Sequence, residues 1–361
     1  MFRDLYKQSG KGRLQLQEER RKKLLEEQKR KRLLLQDLQR DADLSDNRHK
    51  TKLCAHGGKL GTSRALKDAY GSDYTLQLSE WLRDRPVSLD DWAMVPCPKG
   101  QRCLLMATSG RTDMYSKAGR KRMTFHTCLP GDNGQRGSKI STLLDCVYSS
   151  DQDTFYVLDA LIYGNQELIH CEAQFRFFWL RSKFDECHDL AERGINNEKP
   201  LILLERLDMD NIENVTEALL RFPFFPNNVP ELDGLLFYHK ESSYTCGSTP
   251  LVGWLFVFMV PDVLGYPVNE SYQKPSDYTE PLVYMEEFDA KLACKKQRRF
   301  RKHSNSAEMD TTETVNCDED EYAKFDKTEN GSLLALLEAE RRLEINEPDD
   351  QFSTCDVNGG D

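Results

Sequence analysis

The sequence predicts an α+β fold, a domain of antiparallel sheets preceded by a mostly helical basic arm. Three stretches carry that expectation. Residues 231–258 hold two apolar runs, E-L-D-G-L-L-F-Y-H-K and L-V-G-W-L-F-V-F, on either side of a loop rich in Ser, Thr, Gly and Pro. That is how two strands and their connecting turn are written. From Thr142 onward further apolar runs follow at close spacing. From Leu16 to Arg40 there is no Gly or Pro, and Leu, Glu, Gln, Lys and Arg dominate, a composition that favours helix.

The 361 residues suffice for one large domain with tails or for two smaller ones. No run of eighteen apolar residues is present, so no membrane span is expected. The chain is charged from Arg3 and shows no apolar stretch of the secretory type. Eleven cysteines without a C-x-x-C pair predict free thiols in a reducing compartment. The net charge of -10 is unevenly spread: residues 1–40 carry +7, and the remainder -17. A general nucleic-acid binder carries its positive charge on the folded body. An acidic body with a basic arm points instead to an arm with an acidic partner of its own.

In chain order, the arm spans 1–40. Leu24, Leu25, Leu34, Leu35 and Leu38 give its helix a stripe too thin for a core, so it is expected to be poorly ordered when free and helical when docked. Residues 41–73 have mixed charge and no period and read as a linker. The body runs from 74 to 292. Residues 75–86 predict a short helix ending at Pro86, with Leu78, Trp81 and Leu82 on one side. Trp92–Met106 reads as strand, turn and strand, and Ser109–Thr127 as a basic hairpin. Strands are expected at Thr142–Tyr148, Phe155–Ile162 and His170–Leu180, the last from the alternation of Phe175, Phe177 and Trp179 with Gln174 and Arg176. Helices are expected at 178–194 and 210–221, the second capped by Asp210 or Asn211. Residues 293–361 form a charged tail expected to be disordered, with a basic cluster at 295–302, acids at 308–326 and a short helix at 332–343.

Several stretches resemble the motifs of covalent nucleotidyltransferases, the capping guanylyltransferases and ATP-dependent ligases. Their K-x-D-G-x-R motif is similar to Cys97-Pro98-Lys99-Gly100-Gln101-Arg102, with Cys97 where the nucleophilic lysine would stand. Their L-L-D-G-E strand is similar to Leu143-Leu144-Asp145-Cys146-Val147, with Val147 for the metal-binding glutamate. Asp233-Gly234 is kept, and the K-x-K lysines correspond to Gly253 and Leu255, with Trp254 between them. The losses point to nucleotide binding without transfer chemistry. The alternative is an active or vestigial nucleotidyltransferase that uses Cys97 as a divergent nucleophile.

Two further resemblances cover most of the chain. Arg3, Tyr6, Lys7, Gly10 and Lys11 resemble the R-x-x-[FY]-K-x-x-G-K opening of importin-β-binding domains. The clusters Arg20, Arg21, Lys22, Lys23 and Lys29, Arg30, Lys31, Arg32 are similar to that domain's basic helix. The segments L-S-E-W-L at 78–82, C-P-x-G-x-R at 97–102, Y-S-K-A-G at 115–119 and D-G-L-L-F-Y-H-K…G-S-T-P-L-V-G-W-L at 233–255 resemble the snurportin family. That resemblance implies a guanylyltransferase-like fold that binds the 2,2,7-trimethylguanosine cap of U snRNAs. It implies an import adaptor that links capped snRNPs to importin-β, shuttles between cytoplasm and nucleus, and is recycled by an exportin. By position, Trp254 would stack on the base and Trp81 would close the pocket. Leu78 and Ser79 would meet the base edge, and Gln101, Arg102 and Lys117 the sugar and phosphates. No catalytic residue, metal or cofactor is implied.

Overall fold

The computed structural model describes residues 10–44, 75–132, 140–225 and 230–305, with backbone alone for 10–16, 39, 41–44 and 295–305. Arg3, Tyr6, Lys7, most of the predicted linker and the tail beyond Asn305 lie outside these residues. Lys11 and the basic cluster at 295–302 lie on helices whose side chains there are not described.

Two sheets face each other. The first has the order β1 (Gln77–Trp81), β12 (Gly247–Leu255), β11 (Leu232–His239), β2 (Trp92–Pro98) and β10 (Leu207–Asp208). The second runs β5 (Lys121–Phe125), β4 (Arg111–Ser116), β3 (Gln101–Thr108), β6 (Ser141–Ser149), β7 (Thr154–Tyr163) and β8 (Gln166–Glu167). A short β9 (Leu201–Leu203) lies parallel to β7. Pairing is antiparallel except at β1–β12 and β7–β9. The helices are α1 (Gly10–Leu44), α2 (Ala173–Glu186), α3 (Ile212–Leu220), α4 (Val260–Leu264) and α5 (Pro281–Asn305). The α+β class with an N-terminal helix is therefore the observed one. The first of two compact units closes at Met285, early in α5.

Strand alternation sorts the core into layers. Leu82, Met94, Leu235, Phe237 and Leu255 face one side of the first sheet and pack with Val215 and Leu219 of α3 and Val260 and Leu264 of α4. Val95, Cys97, Leu236, Tyr238 and Val252 face the other side, toward Val147, Tyr156 and Leu158 of the second sheet. The far face of the second sheet, with Leu105, Leu144 and Val157, is covered by Leu180 of α2.

The predicted strand–turn–strand at 92–106, the hairpin at 109–127, the strands at 142–148 and 155–162 and the pair at 231–258 are all present. Asn211 caps α3 by accepting from the Asn214 N–H. Two readings are corrected. The stretch 75–86 is a strand, not a helix. Leu78 and Leu82 mimic a helical face, but Leu78 packs between the sheets and Leu82 into the outer layer, and β1 satisfies its backbone by pairing with β12. The stretch 170–180 is largely helix α2, which begins five residues before the predicted Phe178 and ends at Glu186, so the predicted helix to 194 is not continuous: a short 3-10 turn, His188–Ala191, follows. Ala173, Arg176, Phe177 and Leu180 are buried at helical spacing, while Phe175 and Phe178 stay exposed. The false alternation arose because Arg176, polar in sequence, points inward.

Helix α1 lies on the body. Gln17 donates to the Trp81 carbonyl at 3.0 Å, capping an edge strand, and Arg20 pairs with Glu80. Arg21 is buried, donates to the Pro250 carbonyl at 3.1 Å and stacks its guanidinium 5.0 Å from the Trp92 ring centre. Farther along, Gln28 bonds Thr245 and Ser243, Lys29 pairs with Glu241, and Arg32 bonds Ser243 and Glu172. Exposed ion pairs of this kind contribute about 0–1 kcal/mol each. The buried Arg21 with its cation–π contact is the stronger fastening.

Candidate nucleotide-binding site

Trp254 stands near the end of β12, half-buried, on the face that looks between the sheets. Its register partner on β1 is Trp81. Phe256 touches both rings, with centroids 5.7 Å from Trp81 and 6.2 Å from Trp254. The W-L-F-V-F run carries the sequence signal for this third ring, two residues after Trp254 and therefore in the same sequence alternation. Leu78, three residues before Trp81, packs against the cluster of Leu104, Met106 and Tyr115. Ser79 is half-buried beside Thr249.

The two positions matched to missing lysines behave differently from Trp254. Leu255 is fully buried in the outer layer, and a side chain on Gly253 would meet Leu82 at 3.0 Å. Both point away from the inter-sheet layer, because neighbours along a strand face opposite sides. Reading them as vacated phosphate positions beside Trp254 is therefore corrected: they belong to the packing under the sheet.

The cation side is built on the second sheet. Arg102, second in β3, grips Asp145 of β6 through Nε (2.6 Å) and Nη2 (2.8 Å), and Nη2 also reaches the Gln77 carbonyl at 3.3 Å. Asp145 accepts a third bond from the Tyr244 hydroxyl at 2.8 Å. Burial pulls the guanidinium pKa down, but Asp145 more than offsets it and leaves it well above its ordinary value. Burial raises the Asp145 pKa against the pull of Arg102. Arg102 Nη1 makes no hydrogen bond among the described residues, and the side chain is 21% exposed. One edge of the fork is thus available to an anionic or hydroxyl oxygen. The bond to Gln77 ties it to β1, one residue from Leu78.

Gln101 is exposed at the start of β3. Lys117 lies in the β4–β5 turn, directly after Ser116, which pairs with Cys103. The structure therefore brings Gln101, Arg102 and Lys117 to one end of the second sheet, and Leu78, Ser79, Trp81 and Trp254 to the β1–β12 pair, where Trp254 packs on the inter-sheet layer and Trp81 against the outer layer with Leu82 and Leu255. Gly100 is held in the β2–β3 turn by close approach, since an added Cβ would lie 2.5 Å from the Tyr148 carbonyl oxygen. Lys99 is exposed and pairs with Glu231. The Cys97 thiol is buried, and desolvation pushes its pKa up to about 12 against a counter-pull from Arg102. Of the arm residues, Arg20, Arg21, Lys29 and Arg32 contact the body as described above. Lys22 pairs along the helix with Glu18, and Lys23, Arg30 and Lys31 are exposed.

A family model described as Snurportin1, m3G cap-binding domain, matches residues 75–256, half of the chain. The chain belongs to the snurportin family. The matched span contains Leu78, Ser79, Trp81, Gln101, Arg102, Lys117 and Trp254. Remote likenesses to solved ligases also occur. The ligase domain of M. tuberculosis LigD is 13% identical with a TM-score of 0.31, over 50% of this chain and 58% of that one. The Chlorella virus DNA ligase-adenylate is 10% identical with a TM-score of 0.28, over 49% and 65%. The snurportin-family chain spans less than two thirds of either.

Proposed function

We propose that this chain binds the 2,2,7-trimethylguanosine cap of U snRNAs and, as an import adaptor, links capped snRNPs to importin-β. The observation that carries the cap reading is the family match over residues 75–256, the span that holds both the half-buried Trp254 and the Arg102 fork with one open edge. Trp254 stacks on the base. N7 methylation makes that base cationic and adds a cation–π contribution of about 0.5–2 kcal/mol to about 1–3 kcal/mol of stacking. Trp81 closes the pocket, and Leu78 and Ser79 meet the base edge. Two methyl groups on the exocyclic nitrogen remove its donors, so apolar surface such as Leu78 suits them. Gln101, Arg102 and Lys117 take the sugar and phosphates.

Binding without transfer is supported by the state of Cys97. A thiol held near pKa 12 is not a thiolate at neutral pH. The arm reading rests on the basic clusters of α1 and the motif from Arg3 to Lys11. Arg20, Arg21, Lys29 and Arg32 already hold the body, so capture of these side chains by importin-β and docking of the arm exclude each other. Shuttling between cytoplasm and nucleus and recycling by an exportin belong to the same proposal.

The test is calorimetric titration with trimethylated and monomethylated cap dinucleotides. Trp254→Ala is expected to weaken the trimethylated ligand roughly tenfold or more while leaving the fold intact. Unchanged affinity removes Trp254 from the site. Deleting residues 1–40 is expected to abolish nuclear delivery and spare cap binding. A covalent adduct with labelled GTP and Mg²⁺ that disappears in Cys97→Ser would overturn the non-enzymatic reading.

A further inference from the structure

We infer that Gly234 is a positioning residue for the Trp254 ring. Gly234, Leu236 and Tyr238 share one face of β11, and Leu236 is the register partner of Trp254. Gly234 is therefore the diagonal neighbour of Trp254, within reach of a large side chain. A Cβ added to Gly234 would lie 2.4 Å from Trp254 Cζ2 and 2.8 Å from Cη2. It would also lie 2.8 Å from the Leu255 carbonyl oxygen.

Side-chain carbons do not approach that closely, so the indole rests on backbone left bare by the missing side chain. Gly234 is not among the positive-φ glycines. Its φ is one that L-residues adopt, and the requirement for glycine comes from contact alone. Alanine at this position has to lift the six-membered edge of the indole off β11 and tilt its face. A stacking surface works through its orientation, so the tilt acts on ligand affinity, while the Leu255 carbonyl at 2.8 Å makes the β11–β12 pair the second place where alanine acts.

The inference rests on Trp254 being the stacking ring, and the experiment separates the two. Four full-length proteins are titrated with the trimethylated cap dinucleotide: wild type, Gly234→Ala, Trp254→Phe and the double variant. A phenyl ring lacks the Cζ2 and Cη2 atoms that meet the new methyl. Gly234→Ala is expected to weaken binding tenfold or more and to shift the Trp254 resonance in the ¹⁹F spectrum of fluorotryptophan-labelled protein, assigned by its loss in Trp254→Phe. The double variant is expected to bind within twofold of Trp254→Phe.

Wild-type affinity in Gly234→Ala overturns the inference. So does a tenfold loss that persists on the Trp254→Phe background, because the contact would then act through the Leu255 carbonyl. Should Gly234→Ala not fold, folding of the double variant supports the inference and its failure to fold overturns it. Unchanged affinity in Trp254→Ala defeats the stacking reading itself, a result that none of the Gly234 outcomes mimics.

Discussion

Asp145 on β6 and Asp159 on β7 are register partners, and each is gripped by an arginine fork. Arg176 of α2 binds Asp159 through Nε at 2.9 Å and Nη2 at 2.8 Å, and spends Nη1 on the Cys171 and Ser242 carbonyls. It is fully buried. Arg102 makes the same fork to Asp145, yet Nη1 has no partner among the described residues and a fifth of the side chain meets solvent. The chemistry is identical, and the difference is saturation. A saturated fork fastens α2 to the second sheet. An unsaturated one, pre-oriented by the same carboxylate geometry, can receive a ligand oxygen without reorganising.

The largest effect expected from breaking this contrast is on the closed fork. Arg176→Met leaves the Asp159 carboxylate buried without its cation, and loss of one partner of such a pair costs about 3–5 kcal/mol. Urea denaturation reads it directly. A loss below 1 kcal/mol would mean that Asp159 finds other partners and that the fork is not structural.

Arg102→Lys sharpens the open side. Asp145 keeps Tyr244 and a nearby cation, so the stability loss is expected to be about 1–3 kcal/mol, smaller than for Arg176. Affinity for a trimethylated cap dinucleotide is expected to fall about tenfold, the loss of one charge-assisted hydrogen bond. Affinity for the trimethylguanosine nucleoside, which lacks phosphates, should stay within twofold. Equal losses for both ligands would show that Arg102 supports the base pocket rather than the phosphates.

The smallest effect reads the burial of the Cys97 thiol beside the Arg102–Asp145 pair. Burial raises the Cys97 thiol from an ordinary value of 9.0 to about 12, with Arg102 pulling down and Asp233 and Asp145 pushing up. Because the folded protein holds this proton more tightly than the unfolded chain, the group costs stability as pH rises through the window from 9 toward 12. At pH 8, iodoacetamide should label exposed Cys294 and spare Cys97, with both labelled in urea. Peptide mass spectrometry showing equal labelling in the folded protein would remove the neutral thiol from the description.

Strands with strict apolar runs and clear turn residues, such as 92–106 and 231–258, were legible because their own composition decides their state. Residues 75–86 and 170–180 were not, because their state depends on partners far away in sequence. Leu78, Trp81 and Leu82 show an i, i+3, i+4 pattern that a lone segment would satisfy as helix. Pairing with β12, more than 160 residues later, makes them a strand. Arg176 looked like the polar half of an alternation until Asp159 supplied a buried counter-charge.

At the site, the indole, the guanidinium and the Asp-Gly pair could be named in advance. Which face of β12 carried the indole could not, and placing Gly253 and Leu255 beside it followed from that gap. Residue types, turn glycines, the charge asymmetry between arm and body and the kept or lost motif positions were determined by the sequence alone, because they are local or compositional. The tertiary structure decided that Trp254 faces the inter-sheet layer, that one of two matching forks keeps an edge open, and that Gly234 is required by a ring rather than by its own backbone. Each depends on atoms brought within a few ångströms from distant segments, and no local period encodes such contacts.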